Sequence, residues 1–378
     1  MLSIAGLYAV VSFPFQPLDG LIESGEWFIF HKTANLVDRV LNVLFMVLAL
    51  LLGFGLYSLV AVRAISGIIV IGMKLRFLHK KDPQPIAWLY YDKKLMKEIF
   101  SFSMWVMIIS VAQRLILSIT PSILGITSGS REIAIFSVAS SIEGYIWSFS
   151  TVFGGMFLPK VSQLMFGDNK NPGAIQELMI KVGRIQYIIL GAIVSIFIMV
   201  GKDFYLNWVG EDFTKSFIIT IFLILPGLIT VPQQIGSTVL IASNQVRFNA
   251  MSKIIVAIIS LTLSYLLSQK YGATGSGVAI FIGNLIGGAL MMNIIYSKVL
   301  KINIWKFFKM CQLSMSAPFI IVVFTGLALN YHLTILSWTN IFIKVSTLFI
   351  IYATTAYFMA LNKYEKNPIL DLVKKVIR

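Results

Sequence analysis

The chain has 378 residues, of which 57% are hydrophobic and 12% charged, with a mean hydropathy of +0.85 and a formal net charge of +15. A soluble globular chain carries about 25% charged residues, so this composition excludes a water-soluble domain and describes an all-α polytopic membrane protein. The basic residues are scattered over short loops between apolar runs and form no single basic face, which excludes nucleic acid and leaves membrane lipids as the expected surroundings.

In chain order, apolar runs long enough to cross hydrocarbon fall at 2–22, 34–53, 55–77, 97–124, 131–158, 179–200, 216–243, 249–268, 272–297, 310–330 and 337–361. That makes about 11 transmembrane helices, the first interrupted by Pro14 and Pro17. Alternate loops hold Lys32 and Arg39; the run from Lys74 to Lys97; Lys160, Lys170, Lys181 and Arg184; Arg247 and Lys253; Lys298 to Lys309; and Lys363 to Arg378. The opposite loops hold Arg131, Lys202, Lys215 and Lys270. By the positive-inside rule the first set is cytoplasmic, together with the C-terminus. Trp27, Trp88, Trp208, Trp305 and Trp338 fall at span ends, as interfacial anchors do.

An internal repeat organises these spans. Gly55-Leu-Tyr-Ser and Gly67 match Gly275-Ser-Gly-Val and Gly287 at a constant offset, and Leu21-Ile-Glu-Ser resembles Leu240-Ile-Ala-Ser. The three spans of 1–77 therefore recur in 226–297, a parallel repeat of the kind transporters use. The second copy follows three further spans and the first follows none, so the expectation is a two-lobe bundle lacking about three N-terminal helices. The domains read as a partial N-lobe at 1–77, a basic cytoplasmic linker at 78–96 with Pro83 and Pro85, a six-helix C-lobe at 97–298, and two extra helices with a tail at 299–378.

Three ionisable residues lie deep in apolar spans. Arg114 is ten residues before Leu124 and Glu143 ten residues after Ile133, on two helices joined by the short turn Thr127–Glu132. Both sit about 15 Å below one membrane face, which predicts either a salt bridge locking the helices or groups that face a watery cavity. Ser110 and Ser118 share a stripe with Arg114, and Ser140 and Trp147 share one with Glu143. Arg63 lies about 12 Å deep, and either joins the same lumen, making it cationic, or snorkels outward. Lys344 reads as snorkelling, and Asp38 needs no special role.

Enzyme signatures do not emerge. His31, His79 and His332 lie in separate loops with no carboxylate or cysteine at ligand spacing, which predicts no metal site. The glycines Gly283 and Gly287, four apart, read as helix-packing sites. Cys311 is a lone cysteine, so no internal disulfide is expected, and no cofactor is expected either.

Several short motifs resemble the polysaccharide-flippase branch of the multidrug/oligosaccharidyl-lipid/polysaccharide exporter superfamily, the O-antigen and capsule oligosaccharide flippases. They are Leu158-Pro-Lys-Val-Ser-Gln-Leu, Trp208-Val-Gly-Glu-Asp-Phe, Leu240-Ile-Ala-Ser-Asn, Gly272-Ala-Thr-Gly-Ser-Gly and Leu21-Ile-Glu-Ser-Gly-Glu-Trp, and they span the chain in order. The resemblance implies a MATE-like bundle of two lobes, here with an incomplete N-lobe. It implies translocation of a polyprenyl-diphosphate-linked oligosaccharide by alternating access, with H+ or Na+ as the coupling ion. A multidrug antiporter of the same superfamily is the alternative; it would need lumenal acids, and Glu143 is the only deep one. An inactive fragment is the other.

Overall fold

Proline decides how the first apolar run folds. In the computed structural model it is α1 (Leu2–Ser12), a 3-10 turn at Phe13–Phe15 and α2 (Pro17–Ser24), because Pro14 and Pro17 each remove a backbone donor. The structure describes residues 2–25, 27–54, 57–81, 91–151, 157–166, 173–332, 337–362 and 365–366, all without a strand. Gly55 of the repeat, Trp88 and the prolines of the basic linker, and the tail beyond 366 lie outside them. After α2 come α3 (Phe28–Leu51), α4 (Tyr57–Lys81), α5 (Lys93–Thr127), α6 (Ser130–Thr151), α7 (Leu158–Phe166) and α8 (Ala174–Trp208). Then follow α9 (Thr214–Ile224), α10 (Gly227–Thr230), α11 (Gln234–Ala242), α12 (Val246–Gly283), α13 (Met292–Lys298), α14 (Ile304–Cys311), α15 (Ser316–His332) and α16 (Trp338–Thr355). The chain divides into two compact units, Met1–Asp92 and Lys93–Arg378.

Among the described residues, 8 helical segments are long and apolar enough to cross a membrane, against the eleven runs read from sequence. One of the 8, Val246–Lys298, contains two of the predicted spans. The run 2–22 is split by its prolines, and α6 is less apolar than the others because serines, Arg131, Glu132 and Glu143 dilute it. The fold class stands: an all-α polytopic membrane protein.

In the first unit, α3 and α4 form an antiparallel hairpin. The Phe30 and Phe77 rings stack with centroids 3.7 Å apart near one end. Asn42 Nδ2 donates to Ser66 Oγ at 3.3 Å, and Arg63 Nη1 to Asp38 Oδ2 at 2.9 Å. Beneath the hairpin, α2 brings two acids to His31, which sits inside α3 and not in a loop. The ring nitrogens lie 3.4 Å from Asp19 and 3.4 Å from Glu23, and Lys74 of α4 reaches Asp19 at 2.6 Å. Helix packing makes this cluster, so no sequence spacing announced it.

In the second unit, α12 folds back on itself at Gly272, whose φ of 55° and ψ of −139° break the helix. Its arms pack closely along small residues. Ser252 Oγ donates to the Gly287 carbonyl at 2.8 Å, the hydroxyls of Ser264 and Ser276 meet at 2.6 Å, and a Cβ on Gly287 would stand 2.7 Å from Val256 Cγ2. The second arm continues through a π-helical stretch, Asn284–Met291, into α13. α5 lies along α12, and its turn into α6 docks on the hairpin tip: Thr127 Oγ1 meets Ser268 Oγ at 2.9 Å and Ser128 Oγ donates to the Ser268 carbonyl at 2.8 Å.

Candidate functional site

The longest buried element of the second unit outside the α12 hairpin is α8, and its small residues let neighbours approach. Gly191 sits under the Tyr352 hydroxyl of α16, which a Cβ would meet at 2.8 Å, and Gly201 sits under the Phe217 ring of α9. With α6 as a third wall, α8 and α16 enclose a groove of about 850 Å³. Its α8 lining runs from Ile188 to Phe204, about 24 Å of helix, close to the hydrocarbon thickness of a bilayer. Ile146, Ile193, Phe197, Val345 and Phe349 supply its walls, and no lining residue is ionised at neutral pH. Such a groove accepts an apolar chain, and the titratable side chains that line it are the tyrosines Tyr145, Tyr352 and Tyr357.

Polar locks close both ends. Beyond Leu361, Arg184 of α8 uses each of its five donors. Nε and Nη2 grip Glu365 at 2.6 and 2.8 Å, Nη1 donates to the Met310 carbonyl at 2.7 Å and to Ser314 Oγ at 2.9 Å, and Nη2 donates to the Ala360 carbonyl at 2.7 Å. Burial alone would raise the Glu365 carboxyl, but the guanidinium and the Asn362 amide outweigh it and hold the carboxyl below its ordinary value. This guanidinium has nothing left for a ligand. Sequence reading placed it among the cytoplasmic loop charges; its position inside the span 179–200 was the available signal.

At the other end, Lys344 does not snorkel. It shares the α16 stripe of Ile341, Leu348 and Tyr352 that packs on α8, so its stem points inward and Nζ meets Asp203 Oδ2 at 2.7 Å with the side chain 5% exposed.

The three residues predicted from depth fall in both units. Arg63 belongs to the first unit and is paired with Asp38, so Asp38 does have a role and the Arg63 charge is compensated. Arg114 and Glu143 share the second unit but form no ion pair, although both are described. The reason is helical phase. α5 buries Ala112, Thr120 and Leu124, and Arg114, two residues from Ala112, is turned about 200° around the helix from it and is exposed. Glu143 follows Phe136 and Ala139 on the packed face of α6 and is half-buried. The serine stripes are satisfied within their own helices, Ser110 by the Val106 carbonyl at 3.1 Å and Ser140 by the Ser137 carbonyl at 3.1 Å. Among the described residues no group of three His, Cys, Asp or Glu could hold a metal ion.

No curated protein and no solved structure matches the chain. A family model does. A multi-span helical chain with a bilayer-length apolar groove matches the model of the polysaccharide biosynthesis proteins over residues 27–217, half of its length, and the chain belongs to that family.

Proposed function

We propose that the protein is a transporter, not an enzyme, and that it moves a polyprenyl-diphosphate-linked oligosaccharide across the inner membrane for surface polysaccharide synthesis. The observation that carries this reading is the α8–α16 groove. A long apolar chain attached to a polar sugar needs an intramembrane track of bilayer length, and an uncharged groove of about 850 Å³ supplies one. Membership of a polysaccharide biosynthesis family supplies the class of cargo. The two six-helix lobes, alternating access and an ion gradient belong to the resemblance and remain part of the proposal, as does a cytoplasmic C-terminus.

Ala353 lines the groove yet is exposed, so Ala353→Trp fills the track without straining the core. In cells whose surface polysaccharide depends on this protein, the variant is expected to lose export by at least about tenfold, or 1.4 kcal/mol, at unchanged protein level. Phe358→Trp, at an exposed position outside the groove, is the control. Normal export by Ala353→Trp rules the groove out as the track.

Arg114 and Arg63 are each proposed to serve an anionic passenger, and Glu143 is the third candidate. Arg114 is exposed and has no side-chain partner among the described residues, so Arg114→Ala is expected to lower export while leaving the thermal midpoint unchanged, and Arg114→Lys to restore part of it because charge remains. A fall in midpoint without a fall in export would make Arg114 structural. Susceptibility to cationic drugs is expected to stay constant throughout, in contrast to a multidrug antiporter.

A further inference from the structure

α5 is 35 residues long, about 52 Å of helix, so its ends extend past a hydrocarbon core of about 30 Å. Its first turns and the turn that opens α12 enclose a second cavity, of about 670 Å³, entirely within the Lys93–Arg378 unit. On the α5 side, Lys94, Lys97, Ser101 and Trp105 recur at steps of three and four, so they share one helix face, and Phe102 flanks Ser101 in the same lining. The cations occupy its first turn and the half-buried rings lie two turns further along.

On the opposite wall, Asn244 sits in the left-handed region at φ 57°, and Arg247 stands 4.9 Å from the centre of the Phe248 ring. The N-terminus of the 38-residue α12 has no side-chain cap, and Gln245 Oε1, at that terminus, is buried without a hydrogen-bond partner. Lys97, Arg247 and a helix N-terminus therefore face one acid of the lining, Glu98. That set selects an anion with several oxygens, above all a phosphate.

The rings add the other half of the recognition. Phe102 and Trp105 offer flat apolar surfaces that suit the C–H face of a sugar ring, and the Asn244 and Gln245 amides suit its hydroxyls. The other cavities lack this combination: the groove holds no charge, and the guanidinium at its end is spent on Glu365. We propose that this pocket binds a sugar phosphate, the phosphorylated first sugar of the lipid-linked cargo, at the end of α5 where loop charges predict the cytoplasm. This rests on the transport reading.

The test uses the full chain in phosphatidylcholine nanodiscs, which offer no competing anionic lipid, and calorimetric titration with glucose 1-phosphate, inorganic phosphate and glucose. Glucose 1-phosphate is expected to bind roughly tenfold more tightly than phosphate, and glucose not measurably. Lys97→Gln with Arg247→Gln is expected to weaken glucose 1-phosphate roughly tenfold or more. Trp105→Ala is expected to abolish the advantage of the sugar while leaving phosphate binding intact, a readout that misfolding would not give. Equal affinities in wild type and both variants overturn the pocket.

A further arm places farnesyl-diphosphate-linked N-acetylglucosamine in the nanodisc. Tighter binding than glucose 1-phosphate supports a lipid-borne source, and equal binding overturns it in favour of a soluble sugar phosphate. The two readings fail separately. If Ala353→Trp stops export but the pocket variants bind normally, the pocket is wrong and transport stands. If the pocket variants lose binding while the wild type exports no polysaccharide, transport is wrong and the pocket stands.

Discussion

Replacing Arg184 by alanine is expected to destabilise the second unit by about 3–5 kcal/mol, because it leaves a buried carboxylate without its counter-charge. Glu365 is about 10% exposed and Arg184 about 5%, so water cannot replace what is lost. The carbonyls of Met310 and Ala360 lose their donors as well, which unfastens the end of α14 and the π-helical turn Ala356–Ala360 after α16 from α8. Thermal unfolding in detergent should show the midpoint falling well below that of the wild type. Arg184→Lys should recover only part, since one ammonium cannot reach five acceptors in the plane of a guanidinium. An unchanged midpoint in the alanine variant would mean that the lock contributes nothing.

The same lock carries a pH dependence whose sign follows from Glu365. Its carboxyl titrates below the ordinary value of 4.5 in the folded protein. A depressed carboxyl stabilises the fold above its unfolded value, and that contribution is lost as pH falls through the folded value. Stability should therefore drop below about pH 4.5 in the wild type, and Arg184→Ala should flatten that drop.

Much of the architecture was legible in the sequence for a simple reason: hydrocarbon admits only helices, so length and apolarity alone mark the spans. The breaks at Pro14 and Pro17 were legible too, because proline acts on the backbone whatever surrounds it. Helical phase was harder. Depth put Arg114 and Glu143 at one level, but whether two side chains meet depends on which stripe each helix buries, and the packing of α5 along α12 decided that. Lys344 failed for the same reason. Its distance from Trp338 suggested a snorkelling side chain, whereas its place in the stripe of Ile341 and Leu348 turned it toward Asp203. The His31 cluster and the α8–α16 groove were illegible, since each is assembled from segments whose proximity no local pattern encodes. The pocket at the start of α5 lay between. Its cations were counted as loop charge, and only the return of the chain at Asn244–Phe248 shows what they face.

Gly272→Ala is expected to have the second large effect. The residue sits at φ 55° and ψ −139°, near the region that only glycine occupies without strain, at a cost of order 1–3 kcal/mol for another residue. Space compounds the strain, because a Cβ there would stand 2.5 Å from Glu132 Oε2. Glu132 cannot simply swing aside, since the same oxygen accepts the Ala273 amide at 2.7 Å and so caps the second arm of the hairpin. The hairpin tip also carries the Thr127 and Ser128 contacts, so opening it releases the α5–α6 turn from α12. The expected result is a lower thermal midpoint and less folded protein in the membrane. Glu132→Ala alone should cost less, about the 1–3 kcal/mol of a buried donor left unpaired. In Gly272→Ala with Glu132→Ala the clash is gone but the backbone strain stays, so the double variant should lie above the additive sum and below Glu132→Ala. If it matches Glu132→Ala, the strain is negligible and the clash accounts for the whole loss.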